Sequence, residues 1–227
     1  MPRPHRVIGT DISYHVIARC NNEEFLFKEK EDFRGYLQSL SDAMEQHKFE
    51  LNSYVLMSNH VHLIVTTRNG CGIDKIIHAA HLPFAKKYNK RRNRKGHFWR
   101  DRFKSIVIDD DLYALTCMRY IDRNPLRAGI VKGMGDWLWS SYRFYAFGEP
   151  NNLITPLPSY LGLGSHQRKR EVIYKMLGCL EAGLRLDEEK KFFSGPLKPG
   201  SRQFKGLKEK IVTDLIFEVL RKVPGTF

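Results

Sequence analysis

Residues 60–62 read His-Val-His, and two imidazoles two positions apart form the first constellation in the chain able to do chemistry. On a strand, side chains alternate between faces, so His60 and His62 share one face while Val61, Leu63 and Val65 share the other. Such a pair can hold one metal ion in cis. A structural zinc site needs two further Cys or His ligands, and none sits at a standard spacing. An open, incomplete coordination sphere suits a catalytic ion better than a structural one. The same tripeptide also fits two surface histidines of an ordinary strand. In a two-layer fold the apolar face belongs on helices, so the histidine face is expected to be the open side of the sheet.

Tyr120 is the second candidate. Projected at about 100° per residue, the helix expected over 110–123 gathers Ala114, Leu115, Met118 and Ile121 into one core stripe. Tyr120 lies roughly 140° from the middle of that stripe, with Asn124 one turn on. The wheel therefore places Tyr120 off the core, although a helical tyrosine also serves as core filler. A free phenol, with a pKa of about 10, is a weak nucleophile at neutral pH. It can attack a phosphodiester when a cation neutralises the phosphate. Two histidines, an amide oxygen from Asn124, a divalent ion and a tyrosine make a coherent kit for that step.

The charge points to a polyanion. The chain has 227 residues, 38 Lys+Arg against 25 Asp+Glu, and a net charge of +13. The excess is not spread evenly. Residues 86–104 hold ten basic residues and one acid. Lys86, Lys87, Lys90, Arg91, Arg92, Arg94, Lys95, Arg100 and Arg102 are interleaved there with Tyr88, Phe98 and Trp99. Phosphate pairing plus base stacking wants that mixture, which makes these cations and Trp99 candidate DNA contacts. A solvated charged face is the competing reading of the same run. The segment shows no strong apolar face for a membrane surface.

The elements that must position these groups follow from periodicity. Residues 12–20, 49–57, 60–66 and 103–108 read as strands. Residues 29–47, 73–92 and 110–123 read as helices. Pro83 should kink or divide the second of these, and Asn124-Pro125 should end the third. The order strand–helix–strand–strand–helix–strand, with one more helix, predicts an α+β, ferredoxin-like split βαβ sheet with helices on one face. Residues 148–166, rich in Gly, Pro, Asn and Ser, read as a linker or an irregular crossing. Beyond it, Val172–Leu180 and Leu207–Leu220 mark two amphipathic helices. The expected division is 5–147 for the core domain and 148–227 for a basic, mainly helical extension. The extension's basic residues either extend a DNA surface or pack on the core.

Four widely spaced cysteines with no CxxC pair suggest reduced thiols in a cytoplasmic protein. No stretch of 18 apolar residues predicts a membrane span, and no secretory signal is visible.

Three separated segments carry a resemblance. MSNHVHLIV (57–65), GHFWRDRFKSIVID (96–109) and MRYIDRNPLRAG (118–129) resemble the single-tyrosine, IS200-like transposases of the HUH (His–hydrophobic–His) nucleases. YHVIARCNN (14–22) and WSSYR (139–143) look like the REP-associated tyrosine transposase branch. The resemblance covers about residues 5–147. It implies single-stranded DNA cleavage and strand transfer on hairpin-forming, REP-like DNA, with a Mg²⁺ or Mn²⁺ cofactor and a monomer or homodimer. By motif position His60, His62 and Asn124 would hold the metal. Tyr120 would form a 5′-phosphotyrosine link and leave a free 3′-OH. One departure stands out: Glu23-Glu24 follow Asn21-Asn22, where the family commonly shows basic residues.

Two other classes remain in view. One is a hairpin-DNA-binding protein without turnover. The other is a replication-initiator or relaxase-type enzyme, for which the chain carries no GxxxxGK[ST] motif.

Overall fold

Alternating β-branched and aromatic residues build four strands: β1 (Ser13–Arg19), β2 (Glu50–Leu56), β3 (His60–Thr66) and β4 (Lys104–Ile108). The 3.6-residue apolar period builds α1 (Lys30–His47), α2 (Ile73–Arg91) and α3 (Asp111–Arg127). Shorter helices follow: α4 (Tyr142–Phe147), α5 (Pro158–Leu161) and α6 (Gln167–Cys179). The structure, a computed structural model, describes residues 9–179. The helix expected around 207–220 and the last residue of the one expected to reach Leu180 lie outside them.

The sheet is antiparallel, with strand order β2-β3-β1-β4. That is the ferredoxin-like order expected from the split βαβ pattern. α1 and α2 pack against each other. Val61, Leu63 and Val65 are fully buried on the apolar side of β3.

The chain divides into two units. The first holds residues 9–107 together with Asn152–Thr155; the second holds residues 108–151 and 156–179. The stretch read as a linker is thus shared between the two units. Thr155 N–H donates to the Leu51 carbonyl at 2.9 Å, and Asn52 Nδ2 donates to the Thr155 carbonyl at 2.9 Å, which adds this strand-like piece to β2. Pro158–Leu161 of the same stretch forms α5. In the second unit, α6 packs on α3 and α4. Arg119 Nε donates to the Leu177 carbonyl at 3.1 Å, and Arg123 Nη1 to the Gly178 carbonyl at 3.1 Å. The described part of the extension is therefore packed structure.

Pro83 does not divide its helix, and Asn124-Pro125 does not end the next, contrary to the sequence expectation for the latter. α2 runs through Pro83 as one helix. α3 continues past Asn124 and Pro125 to Arg127. Proline removes one donor, but the next turn closes without it: Ala128 N–H reaches the Asn124 carbonyl and Ile130 N–H reaches the Pro125 carbonyl, each at 3.0 Å. The result keeps Asn124 helical, one turn from Tyr120.

Candidate active site and DNA-facing surface

β3 places His60 and His62 side by side, with ring centroids 5.0 Å apart and planes at 83°. Each ring is held through Nδ1. His60 Nδ1 lies 2.7 Å from Asn59 Oδ1. An amide oxygen only accepts, so His60 donates a proton from Nδ1, which in the neutral imidazole leaves the lone pair on Nε2. His62 Nδ1 lies 2.9 Å from Nε2 of His15, and the two rings stack at 5.2 Å. His15 belongs to β1 on the same face of the sheet, since Ile17 is the register partner of His62 and Arg19 that of His60.

The histidine face is not open, which corrects the sequence expectation. His15 is fully buried and His62 is 1 % exposed, while His60, at the strand's start, is half-buried. The reason lies in the neighbours. Ile17, Val55 and Ile64 share this face and are all buried. Apolar surface of that size is driven out of water. Burial pushes the His15 imidazole down to about 3, so it is neutral.

The pair suits a divalent ion through the chemistry of its donors: two adjacent imidazoles, each with Nδ1 already engaged. Among the described residues, no three His, Cys, Asp or Glu side chains come together as a metal cage. Oxygens of an amide, of water or of a DNA phosphate would be suitable further ligands.

The second half of the candidate site is on α3. Asp110 caps that helix by accepting from Tyr113 N–H at 2.6 Å. Asn124 Nδ2 donates to the Tyr120 carbonyl at 3.0 Å, which leaves the Asn124 Oδ1 oxygen as the ligand-type atom. The Arg127 guanidinium lies over the Tyr120 ring, 5.0 Å from its centroid. Tyr120 is 3 % exposed, which corrects the helical-wheel placement. The wheel assumed one buried stripe, but residues 116–122 of α3 are all buried. His60 and His62 stand in the first unit, Tyr120 and Asn124 in the second.

The basic run is largely committed to the protein itself. Asp32, fully buried, accepts from the backbone N–H groups of Lys28 and Glu29 at 3.0 and 2.8 Å. The same carboxylate takes Arg91, and Arg92 at 3.0 Å. Arg92 also pairs with Glu29 at 2.9 Å. Glu24 and Glu23, the acidic departure seen in the sequence, pair with Arg94 at 3.4 Å and Arg100 at 2.9 Å. Lys87 sits 4.0 Å from Asp42. Four of the candidate cations, Lys86, Lys90, Lys95 and Arg102, are exposed with no ion pair among the described residues.

The interleaved aromatics are mostly core. Tyr88 and Phe98 are buried, and Tyr88 Oη donates to the Leu26 carbonyl at 2.8 Å. Trp99 is half-buried, with one indole face stacked on His81 at 4.1 Å. A cleft of about 710 Å³ opens beside Trp99 and Arg102. In its lining Asp74 and Asp101 stand beside Lys75 and Arg102, so the charges there are mixed.

Sequence reasoning did not single out three residues, of which Lys104 was counted only as part of the 86–104 basic run. Arg19 is the register partner of His60 and so stands on the histidine face. Lys104, at the start of β4, has its ammonium pushed down by burial and by the Arg19 and Arg100 charges, so three cations gather there. His15 is the third. Strand alternation puts His15, Ile17 and Arg19 on one face, but nothing local says that this face meets His60 and His62.

Comparison with known proteins agrees with this architecture. The family model described as "Transposase IS200 like" matches residues 9–124. A Haemophilus influenzae protein named as a REP-associated tyrosine transposase is 23% identical over 140 residues, covering 57% of this chain and 77% of that one. The solved structure of a REP-associated tyrosine transposase bound to a REP hairpin superposes with a TM-score of 0.56 at 20% identity, over 70% of this chain and 96% of that chain. A Deinococcus radiodurans protein named as a transposase is also similar, at 16% identity and a TM-score of 0.38, over 51% of this chain and 91% of that chain. With the ferredoxin-like sheet, the adjacent histidines and the matched span all in place, the chain belongs to the IS200-like transposase family.

Proposed function

We propose that this chain nicks and rejoins single-stranded DNA at hairpin-forming, REP-like elements through a covalent tyrosine intermediate. The observation that carries the reading is the His60–His62 pair, rings 5.0 Å apart with both Nδ1 atoms engaged, in a chain of this family. The hairpin preference rests on the similar REP-associated proteins.

His60, His62 and Asn124 would hold Mg²⁺ or Mn²⁺. An ion bound there would supply positive charge against the scissile phosphate and polarise its P–O bond. Imidazole ligands favour Mn²⁺ over the harder Mg²⁺. Tyr120 Oη attacks phosphorus and loses its proton to solvent. The P–O3′ bond breaks, the leaving O3′ takes up a proton, and a 5′-phosphotyrosine remains. Rejoining is the reverse: a 3′-OH attacks the phosphotyrosine and the phenol leaves. Bond number is conserved, so no external energy source is required. Arg19 and Lys104 offer positive charge to the phosphate beside His60, and Lys86, Lys90, Lys95 and Arg102 offer exposed cations to the rest of the strand.

A second reading is a hairpin-DNA-binding protein without turnover. The burial of Tyr120 favours it, because attack requires the phenol to become accessible once DNA is bound. One experiment separates the two. The protein is incubated with hairpin-bearing single-stranded DNA and Mn²⁺ or Mg²⁺, and the covalent adduct is followed by denaturing electrophoresis. An adduct that is lost in Tyr120→Phe supports the enzyme. Hairpin binding with no adduct under either metal supports the binder.

A further inference from the structure

We propose that His15 is a positioning residue: by accepting a hydrogen bond from Nδ1 of His62 it holds that ring as the Nδ1–H tautomer and leaves the Nε2 lone pair for a divalent cation. The proposal rests on the metal-dependent reading above and deepens it.

A neutral imidazole has one N–H and one lone pair. His15 Nε2 and His62 Nδ1 face each other at 2.9 Å, so one of the two must carry the hydrogen. If His15 donates, His62 holds its remaining proton on Nε2 and that nitrogen cannot ligate. If His62 donates, its Nε2 is a lone pair. Only the second arrangement makes His60 and His62 equivalent, because the Asn59 amide oxygen already forces the Nδ1–H form on His60. The two candidate ligands would then have matching outer partners of different kinds, an amide oxygen and an imidazole nitrogen.

Geometry makes His15 suited to the task. It is fully buried, so water does not compete for the shared proton. Its ring stacks on His62 with planes 22° apart, which fixes the orientation of the ligand ring as well as its tautomer. β1 and β3 bring the two side chains together through the antiparallel register that pairs Ile17 with His62 and His15 with Ile64. Partners of this kind typically change metal affinity 10–100-fold when removed.

The test uses His15→Leu, which removes the acceptor, and His15→Gln, whose amide oxygen can still accept. Long-range ¹H–¹⁵N spectra of the metal-free, ¹⁵N-histidine-labelled protein report the His62 tautomer directly. Wild type and His15→Gln should show the Nδ1–H form, and His15→Leu a shift toward Nε2–H. Titration with Mn²⁺ alone, followed by electron paramagnetic resonance, should show roughly 10–100-fold weaker binding in His15→Leu and substantial rescue in His15→Gln. An Nε2–H tautomer at His62 in the wild type overturns the proposal even if His15→Leu fails to fold. So does wild-type Mn²⁺ affinity in a folded His15→Leu. If the wild type shows the Nδ1–H form yet binds no Mn²⁺, the metal-dependent reading falls while the tautomer-setting role of His15 stands.

Discussion

Arg127 stacks its guanidinium over the ring of Tyr120, 5.0 Å from the ring centroid, two turns further along the same helix. Under the proposed mechanism, a cation in that position would favour the phenolate charge that develops as the tyrosine enters and leaves a phosphotyrosine. It can stay there only because α3 continues past Pro125. Arg127→Gln is therefore expected to slow covalent adduct formation about tenfold, the scale of a partly desolvated cation–π contact. Affinity for the same DNA should change much less. Single-turnover adduct rates at saturating DNA, set beside binding isotherms, check this; equal loss in both would assign Arg127 to DNA binding alone.

Glu23 and Glu24 hold Arg100 and Arg94 in exposed ion pairs. Such pairs add little stability, but they neutralise two of the cations proposed as DNA contacts. Replacing both glutamates by glutamine should leave the melting temperature nearly unchanged. It should tighten single-stranded DNA binding and steepen the fall of log K with log salt by about one to two phosphate contacts. Fluorescence anisotropy over a salt series measures the slope. An unchanged slope would mean that Arg94 and Arg100 stay away from DNA.

Asp32 ties the start of α1 to the end of α2. One buried carboxylate satisfies two backbone N–H groups and two arginines. Asp32→Ala removes one half of a capping box and the buried carboxylate of a partly exposed ion-pair network. A loss of about 3 kcal/mol in folding stability is expected from those two effects, measured by urea denaturation. Asp32→Asn should recover part of it, since its amide oxygen still accepts.

Asp122 adds a pH dependence. It is buried and accepts from Tyr174 Oη, and burial pushes its carboxyl up to about 8. Between the unfolded value near 4 and about 8, the folded protein holds a proton that the unfolded chain lacks. Stability therefore falls as pH rises, by about 1.4 kcal/mol per pH unit from this one group, and levels off above pH 8. His15 and His81, both pushed down to about 3 by burial, act the other way, but only below their unfolded value of about 6.5. The window from pH 7 to 8 isolates Asp122. Urea midpoints there should decline in the wild type and stay flat in Asp122→Asn.

The sequence alone determined what local chemistry determines. Period-two alternation located the strands, including the one that puts His60 and His62 on a shared face, and period 3.6 located the helices. Element order then specified the sheet, because a split βαβ pattern has few ways to pair its strands. Tyr120 and Asn124 lie one turn apart on any continuous helix, so their proximity was legible too. The tertiary structure decided what depends on residues distant in the chain. His15 meets His62 across 47 positions, and Asp32 meets Arg91 and Arg92 across about 60. Those pairings turned a +9 run into a few exposed cations and an open histidine face into a buried one. Burial and ion pairing depend on the far partner, and a linear pattern carries no record of which far partner the register will supply.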